Sequence, residues 1–455
     1  MKVCKVFVPF GAVGSGIEKE AFDNGIAMCP DAIASDAGST DSGPYYLGTG
    51  RGKYAREAVK EDLRLMLKGG RKLGVPVLVG SCGTCGSDQG VDEAAAICSE
   101  ICKEEGFDLK IAKIYTQQDN GELKRRYLNG DVIPLQAAPD IDEGTFDRCS
   151  HIVAAAGAEP FIQAIKDGAD VVLCGRATDT AIIAAYPIMM GCDVASCWHG
   201  AKIAECGPLC AADPRGGIFL TFDEEGVTVE PTATGNRCTV YSTSAHMLYE
   251  NADPIHLTEP GVVIDLSSAT YVQVNERQVR LSGAKAESMP YTLKLEGAAP
   301  AGFQTVSLVG IADRRIMANP MAWIGKLKSA AQARLEKVGL TEGYSYCLKP
   351  YGFNAVIDGE IAPGSYVPRE IGLILLVTAR TQALATKVAK VFNPLLLHLS
   401  VKENEQMPSF AFPFSPTEIE KGQTYEFCFY HAVKVTDPLE LIRIQYEDLT
   451  QEVTV

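Results

Sequence analysis

A polar, glycine-rich stretch between Ser35 and Lys53 carries the side chains best suited to chemistry. It reads SDAGSTDSGPYYLGTGRGK and follows a predicted strand. Glycines at the carboxyl end of a strand allow close backbone approach to a ligand, and loops of this length are typically functional. A solvated turn is the alternative. We therefore predict a ligand-binding loop, with catalytic carboxylates at Asp36 and Asp41 and binding residues at Ser39, Thr40, Tyr45 and Arg51.

A second group of polar side chains follows the apolar segment ADVVLCG. Arg176 offers a planar guanidinium suited to a carboxylate or phosphate, Thr178 can cap the next helix, and Asp179 lies in its first turn. Because ligands of open α/β sheets bind at the carboxyl ends of strands, we predict that Arg176 and Thr178 bind substrate and that Asp179 is catalytic. A helix cap with a surface salt bridge is the alternative. Glu159, at the start of the preceding helix, is a further predicted binding residue, with stabilisation of the helix dipole as its alternative role.

Two cysteines lie in a glycine-rich turn, SCGTCGSDQG, between the apolar segment VPVLVG and a predicted helix. Backbone N–H groups and the helix dipole favour an anion there, so we predict that Cys82 and Gly83 contact substrate. The helix N-terminus is expected to lower the pKa of the thiols. Together with Cys98 and Cys102, Cys82 and Cys85 resemble a zinc or iron–sulfur ligand set, although the second pair lies about two turns or more along the helix. The metal and cofactor content stays unknown.

The six histidines form no HxxxH or HExxH pair. His246 and His199 each lie near other polar residues in the sequence and are candidate general bases. We assign a catalytic role to His246, with a structural histidine as the alternative. Neither GxSxG nor GxxxxGK[ST] occurs, which disfavours hydrolases and nucleoside triphosphatases.

Length, composition and net charge limit the classes of protein to which this sequence can belong. The 455 residues predict two to four domains, and 46% hydrophobic with 22% charged residues is ordinary globular composition. A formal net charge of -15 without a basic cluster disfavours nucleic acid as a partner. The sequence has neither a signal-peptide pattern nor an apolar run long enough to span a membrane, so we expect a soluble, cytoplasmic protein with its fifteen cysteines reduced.

The hydrophobic pattern predicts three domains. Strands and helices alternate over residues 1–205, which predicts a doubly wound, mostly parallel, Rossmann-like α/β domain. Residues 206–300 carry short strand patterns, including one at Cys238–Ser242, around a single helix at Ser244–Glu250, and predict a β-rich insertion or lobe. Residues 301–455 show the order β-α-β-β-α-β, which predicts a ferredoxin-like α+β domain.

Four motifs together resemble one known family. They are DAGSTDSGPYYLG from Asp36, AGAEPFIQAIKDGADVVLCGRATD from Ala156, AECG from Ala204 and HMLYE from His246. In this combination and order they are similar to the acyclic terpene utilisation (AtuA-like) family, a domain long of unknown function. The resemblance implies a link with catabolic operons for branched acyl compounds, but it supplies no settled reaction. Cys82 and Cys85 in a loop that is usually plain glycine and small residues, and the tail after Phe410, predict a divergent branch.

We expect the loops at residues 11–16, 36–53, 80–90 and 175–180 to converge on one crevice that binds a small anionic molecule. The predicted function is a metabolic lyase or hydratase acting on a small carboxylate or branched acyl thioester. An NAD(P)-dependent oxidoreductase and a non-catalytic subunit of an enzyme complex are the alternatives. We expect a homo-oligomer, with a small partner subunit as a further option. Asp41→Asn and Arg176→Lys are each expected to reduce ligand binding or turnover without affecting folding.

Overall fold

The computed structural model describes residues 3–249, 251, 253–357, 366–402 and 405–449. Strands and helices alternate in its first half, as the sequence predicts. In chain order the strands are β1 (Cys4–Val8), β2 (Ala32–Asp36), β3 (Val77–Gly80), β4 (Leu109–Tyr115), β5 (Val132–Pro134), β6 (His151–Ala155), β7 (Val171–Cys174), β8 (Ile218–Phe222), β9 (Gly226–Pro231), β10 (His256–Glu259), β11 (Val262–Asp265), β12 (Thr270–Gln273), β13 (Val279–Ser282), β14 (Lys285–Ser288), β15 (Thr292–Ile311), β16 (Tyr344–Tyr351), β17 (Ile371–Ala379), β18 (Phe410–Ala411), β19 (Glu418–Lys434) and β20 (Arg443–Leu449).

The helices pack around these strands. In chain order they are α1 (Lys19–Ala27), α2 (Pro44–Thr49), α3 (Arg56–Leu73), α4 (Asp88–Glu105), α5 (Asn120–Leu128), α6 (Glu143–Arg148), α7 (Glu159–Lys166), α8 (Asp179–Met190), α9 (Val194–Ala204), α10 (Val240–His246), α11 (Arg314–Met317), α12 (Pro320–Lys337) and α13 (Gln382–His398). The predicted loop at residues 35–53 therefore contains a short helix, α2, because Pro44 supplies the fixed φ of a first helical turn.

A ten-stranded mixed sheet forms the centre of the fold. Its order is β12-β13-β9-β8-β1-β2-β3-β7-β4-β20, and β1, β2, β3, β7 and β4 pair in parallel. Strand β20 pairs antiparallel with β4 along the whole of both strands. The chain is thus a mixed α/β protein, and its parallel strands end at one edge of the sheet, where ligands of such sheets bind.

The parallel strands are buried on both faces, which explains their continuous apolar sequences. In β1, Val6 and Val8 belong to one hydrophobic core while Phe7, between them, belongs to the other. The core that contains Phe7 also receives Leu63 of α3, and the opposite core receives Ile182 of α8. Side chains alternate across a strand, so each strand anchors helices on both sides of the sheet.

The segment 206–300 divides between two sheets. Strands β8 and β9 form a hairpin beside β1, and β12 and β13 extend the same sheet, whereas β10, β11 and β14 form a three-stranded sheet of their own. The predicted strand at Cys238–Ser242 is wrong. The hydroxyl of Thr239 accepts a hydrogen bond from the backbone N–H of Ser242, and this capping box starts helix α10 instead. Glu250, the last residue of the predicted helix there, lies outside the described residues.

Strand β15 is one strand of 20 residues where the sequence pattern predicts two. Its residues Lys294–Ala298 pair with β6, and its residues Phe303–Ile311 pair with β17. Pro300 and Gly302 lie between these two paired segments, so the missing N–H of Pro300 and the φ of 107° at Gly302 interrupt neither the pairing with β6 nor that with β17.

The described chain groups into two compact units, residues 1–299 with 427–455 and residues 300–426. In the second unit, β16, β17 and β15 pair antiparallel, and α12 and α13 share a hydrophobic core with β17. The three-domain division at residues 205 and 300 stays a prediction. Among the described residues, no helix combines the length and the apolar character needed to cross a membrane.

A buried carboxylate holds the first glycine-rich turn. Asp62 of α3 accepts hydrogen bonds from the backbone N–H groups of Gly14 at 2.7 Å, Gly16 at 3.1 Å and Ile17 at 2.8 Å, and its residue surface is 3% exposed. These N–H groups are of the kind that would otherwise bind a phosphate. The turn between β1 and α1 is therefore closed by the protein's own carboxylate.

Asp62→Asn is expected to lower the free energy of unfolding by about 2 kcal/mol, because an amide offers one acceptor oxygen where the carboxylate uses two. Urea denaturation monitored by circular dichroism measures the loss. The matched control is Asp23→Asn, which removes an exposed carboxylate paired with Lys19 at 2.6 Å and should cost less than about 0.5 kcal/mol. Equal effects of the two changes would contradict a structural role for Asp62.

Candidate functional site

Two adjoining cavities open at the carboxyl-terminal edge of the parallel strands. The larger has a volume of about 740 Å³ and the smaller of about 310 Å³. Four residues line both cavities: Ser39, Asp41, Asp179 and Glu205. Because the two cavities share these walls, we treat them as one crevice, called the polar crevice below.

Arg176 lies buried at the end of β7 and binds groups from three parts of the chain. Its Nε donates to Oε2 of Glu296 on β15 at 2.8 Å, and its Nη1 donates to Oγ of Ser81 at 2.9 Å and to Oδ1 of Asp179 at 3.1 Å. Glu296 also pairs with Lys294 at 2.7 Å. Burial opposes ionisation of Glu296, but the charges of Arg176 and Lys294 outweigh it and lower its pKa to about 2.

The turn after β3 brings Ser81 to Arg176 through an unusual backbone. Ser81 has a φ of 46° and Thr84 a φ of 76°, a left-handed conformation that non-glycine residues rarely adopt. Gly86 lies so close to the chain after β7 that a Cβ there would be 2.0 Å from the backbone nitrogen of Arg176. Only glycine permits this approach, which fixes the turn against the buried guanidinium.

Asp36 ends β2 in an environment that favours its neutral form. The residue is 5% exposed, its Oδ2 accepts from the N–H of Gly38 at 3.0 Å, and its buried Oδ1 has no hydrogen-bond partner among the described residues. Burial and the nearby carboxylate of Asp179 raise the pKa of Asp36 well above its ordinary value, although Arg176 opposes them. These surroundings therefore favour the protonated form of Asp36.

Two further carboxyl groups in the crevice have raised pKa values. Burial raises the pKa of Glu205 to about 8, against the charge of Lys202, with which it forms an ion pair. Burial also raises the pKa of Glu259 to about 7, although the hydroxyl of Thr180 donates to its Oε1 at 2.7 Å. Its Oε2 is buried and has no hydrogen-bond partner among the described residues. Both groups can give up a proton near neutral pH.

The structure brings together most of the polar residues predicted from sequence. Each of seven of them lines at least one of the two cavities: Asp36, Ser39, Thr40, Asp41, Arg176, Thr178 and Asp179. Thr178 is also the N-cap of α8, since its Oγ1 accepts from the N–H of Ala181 at 3.2 Å. The loops at residues 11–16, 36–53 and 175–180 thus meet at the crevice, and the turn at residues 80–90 reaches it through Ser81.

Five predicted binding residues do not line the crevice, and three of these are Tyr45, Arg51 and Glu159. Tyr45 is 44% exposed and packs edge-on against Tyr46, and the side chain of Arg51 is exposed. Glu159 accepts a hydrogen bond from the hydroxyl of Tyr291 at 2.5 Å. None of these three is among the described residues that line the crevice.

The cysteines of the glycine-rich turn are buried thiols. Burial and the carboxyl group of Asp36 raise the pKa of Cys82, and burial raises the pKa of Cys85 despite the adjacent helix N-terminus. The expectation of lowered thiol pKa values is therefore wrong, because desolvation outweighs the dipole. Cys82 and Gly83 line a separate, apolar cavity. Within the described ranges, no three His, Cys, Asp or Glu side chains are grouped so as to hold a metal ion.

His246 is 6% exposed, and its ring stacks on Tyr249 with centroids 5.8 Å apart. Burial, helped by the charge of Lys202, lowers its pKa to about 4, so the imidazole is neutral at physiological pH. His246 does not line the crevice among the described residues, but Tyr249 does. His199 bonds to the hydroxyl of Tyr271 at 2.9 Å, which suits a structural histidine.

Sequence reasoning missed the charged crevice residues that follow α8 in the chain: Lys202, Glu205, Glu259, Lys294 and Glu296. The only available signal was Glu296, a carboxylate within the apolar strand sequence LKLEGAA. A carboxylate at a buried strand position requires a cation as partner. The pattern cannot indicate which cation, since Arg176 lies far away in sequence.

Arg176→Lys is expected to lower the free energy of unfolding by about 3 kcal/mol, because lysine cannot bond Glu296, Ser81 and Asp179 at once. This replaces the expectation from sequence that the change leaves folding intact. Urea denaturation measures the loss. The double variant Arg176→Met with Glu296→Met should be less destabilised than the sum of its two single variants, and strict additivity would show that the pair is not coupled.

Glu259 makes stability depend on pH. Its folded pKa of about 7 lies above the ordinary value of 4.5 for a glutamate, so its stabilising effect is complete below about pH 4.5 and is lost as pH rises through 7. The melting temperature of the wild type should therefore fall between pH 5 and pH 8 by more than that of Glu259→Gln. Glu276→Gln, at an exposed turn, is the control and should follow the wild type. Identical pH profiles for wild type and Glu259→Gln would disprove the raised pKa.

Comparison with known proteins identifies the family. A family model described as acyclic terpene utilisation family protein AtuA matches residues 49–408. Comparison with curated proteins gives no match, and neither does comparison with solved structures. The match begins at the end of α2, so Asp36 and Asp41 precede it, whereas Arg176, Asp179 and the crevice residues of the later strands up to Glu296 lie inside it. The prediction from the sequence motifs is confirmed, and the chain belongs to the acyclic terpene utilisation (AtuA) family.

Proposed function

We propose that the protein is an enzyme that moves protons to and from a small carboxylate or a branched acyl thioester, as a lyase or hydratase. One observation carries this proposal: a single crevice holds carboxyl groups whose surroundings favour opposite protonation states. Glu296 has a pKa of about 2, and Glu259 has a pKa of about 7. Such separation within one site is typical of paired general acids and bases.

The roles follow from the surroundings of each group. Glu259 is the general acid, because it is protonated up to neutral pH and its Oε2 has no partner among the described residues. Glu296 is held by Arg176 and Lys294, so it keeps that arginine ionised and in place rather than taking a proton. Asp41 is the general base, since it is an exposed carboxylate that lines both cavities. In a dehydration, the base takes the proton on the carbon next to the carbonyl, the acid protonates the departing hydroxyl, and water leaves. Proton exchange with solvent then restores both groups.

Arg176 can bind one oxygen atom of the substrate, but it cannot bind both oxygens of a carboxylate with two of its nitrogens. Its Nε and Nη1 are used by Glu296, Ser81 and Asp179, whereas no described residue accepts a hydrogen bond from its Nη2. Arg176 lines the larger cavity, so Nη2 offers donors for one carboxylate or carbonyl oxygen. Lys294 lines the same cavity and adds positive charge.

Family membership supports a place in a terpene utilisation pathway. The parallel strand order supports a Rossmann-like first domain, and the order β16-β17-β15-β19 supports a ferredoxin-like second one. We also propose a homo-oligomer.

An NAD(P)-dependent oxidoreductase has less support, because the glycine turn after β1 already donates its N–H groups to Asp62. A non-catalytic subunit would show no turnover in the assay below.

Deuterium exchange tests proton transfer without knowledge of the full reaction. The protein is incubated in D₂O with a panel of 3-hydroxyacyl and 2-enoyl thioesters and the matching free acids, and mass spectrometry follows label at the carbon next to the carbonyl. We expect the wild type to exchange or hydrate at least one compound. Asp41→Asn should slow this by about 100-fold or more, the usual contribution of a general base.

Glu259→Gln is expected to slow hydration and dehydration while leaving exchange less affected, since the acid acts on the hydroxyl rather than on the carbon. Glu276→Gln serves as the exposed control and should keep wild-type rates. The absence of exchange and hydration across the panel, together with thermal stabilisation by NAD(P) alone, would favour the oxidoreductase instead.

A further inference from the structure

A third cavity lies between the N-terminal halves of α3 and α4. The segment that follows β2 separates it from the polar crevice. Its volume is about 290 Å³. Part of its wall is apolar and buried and includes Leu63 of α3, Val79 of β3, and Ala94 and Ile97 of α4, whereas the charged residues Lys53, Arg56 and Glu93, which also line it, are exposed. This space, called the apolar cavity below, has no role in the chemistry described above.

The apolar cavity adjoins the polar crevice. Lys53 and Tyr54 line both the apolar cavity and the smaller cavity of the crevice. Between them the chain alternates: Ala37 lines the apolar cavity, while its neighbours Asp36 and Gly38 line the crevice. Because the two cavities share this wall, an extended molecule that lies across Lys53 and Tyr54 reaches both of them, with its polar end in the crevice.

Two glycines shape the inner end of the apolar cavity. A Cβ at Gly83 would be 2.7 Å from Cα of Gly90, and a Cβ at Gly90 would be 2.3 Å from the carbonyl oxygen of Cys82. The turn therefore packs onto the start of α4 by backbone contact alone, because neither Gly83 nor Gly90 has a side chain. In an ordinary core, larger side chains would fill the space that the cavity occupies. An empty apolar space forfeits dispersion contacts, and water binds it poorly. An apolar ligand group regains those contacts.

We propose that the apolar cavity binds the hydrocarbon chain of the substrate, whose carboxylate or thioester end lies in the polar crevice. This inference rests on the proposed function and narrows its substrate class to acids or thioesters with an apolar chain. The cavity then sets the preferred chain length. Chains that fill it gain affinity with each added carbon, and longer chains gain no more.

Isothermal titration calorimetry with straight-chain fatty acids from butanoate to dodecanoate tests the proposal on the full chain. The dissociation constant should fall about fourfold for each methylene group until the cavity is full, and should then level off. A dissociation constant that is independent of chain length would overturn the proposal.

Matched substitutions on α4 locate the effect. Ala94→Phe places a ring in the cavity and should abolish the gain with chain length, whereas Ala96→Phe, at an exposed position of the same helix, should keep it. Val59→Ala enlarges the cavity with little risk to folding, and the levelling-off should move to a longer chain. Chain-length dependence that neither Ala94→Phe nor Val59→Ala alters would place the chain elsewhere and refute the assignment.

The two proposals fail in distinguishable ways. Affinity that rises with chain length and is lost in Ala94→Phe, without deuterium exchange on any thioester, would support the cavity and refute the enzyme. Exchange that Asp41→Asn abolishes, combined with chain-independent affinity, would support the enzyme and refute the cavity.

Discussion

The site depends on the charge of one buried arginine. A guanidinium at the end of β7 loses several kcal/mol of hydration, and it remains ionised only if carboxylates and hydrogen-bond acceptors surround it. Glu296 on β15, Asp179 at the start of α8 and Ser81 after β3 meet this requirement together. Three segments that are distant in sequence are thereby fixed at one edge of the sheet. The left-handed backbone at Ser81 is part of the same arrangement, because strain is tolerated where the surrounding contacts determine the conformation.

The same cation divides the carboxyl groups around it into two kinds. Glu296, which bonds it directly, is held as a carboxylate, whereas Asp36 is desolvated and lies near Asp179, so it favours a proton. Glu205 and Glu259 lie farther along the crevice, and burial dominates their titration. The spread of pKa values therefore depends on which carboxyl groups bond the buried cation and which are only desolvated. This is the property that a site for acid–base chemistry needs.

Local pattern predicted much of the fold and roughly half of the site. The apolar segments VPVLVG and ADVVLCG indicated buried parallel strands, and the glycines and hydroxyls after β2 indicated a ligand loop. The strand predicted at Cys238–Ser242 was wrong because a capping box starts a helix there despite the strand propensity of the sequence. The prediction of lowered pKa values for Cys82 and Cys85 was wrong because a sequence motif does not show how deeply its residues are buried. The partners of Arg176 and the charges of Lys202 and Glu259 come from segments that meet it only through tertiary structure, and one sequence contains no record of that pairing.

The pairing of β20 with β4 bears on how the protein is made. Strand β4 carries an open edge of backbone N–H and C=O groups from the time it leaves the ribosome until Arg443–Leu449, which lie far later in the sequence, are synthesised. An unpaired edge next to an apolar sheet can pair with another nascent chain. The parallel strands can pair early, but this edge of the sheet closes only after Arg443–Leu449 have been synthesised. Chaperone protection during translation therefore matters more for this fold than for one whose neighbouring strands are close in sequence.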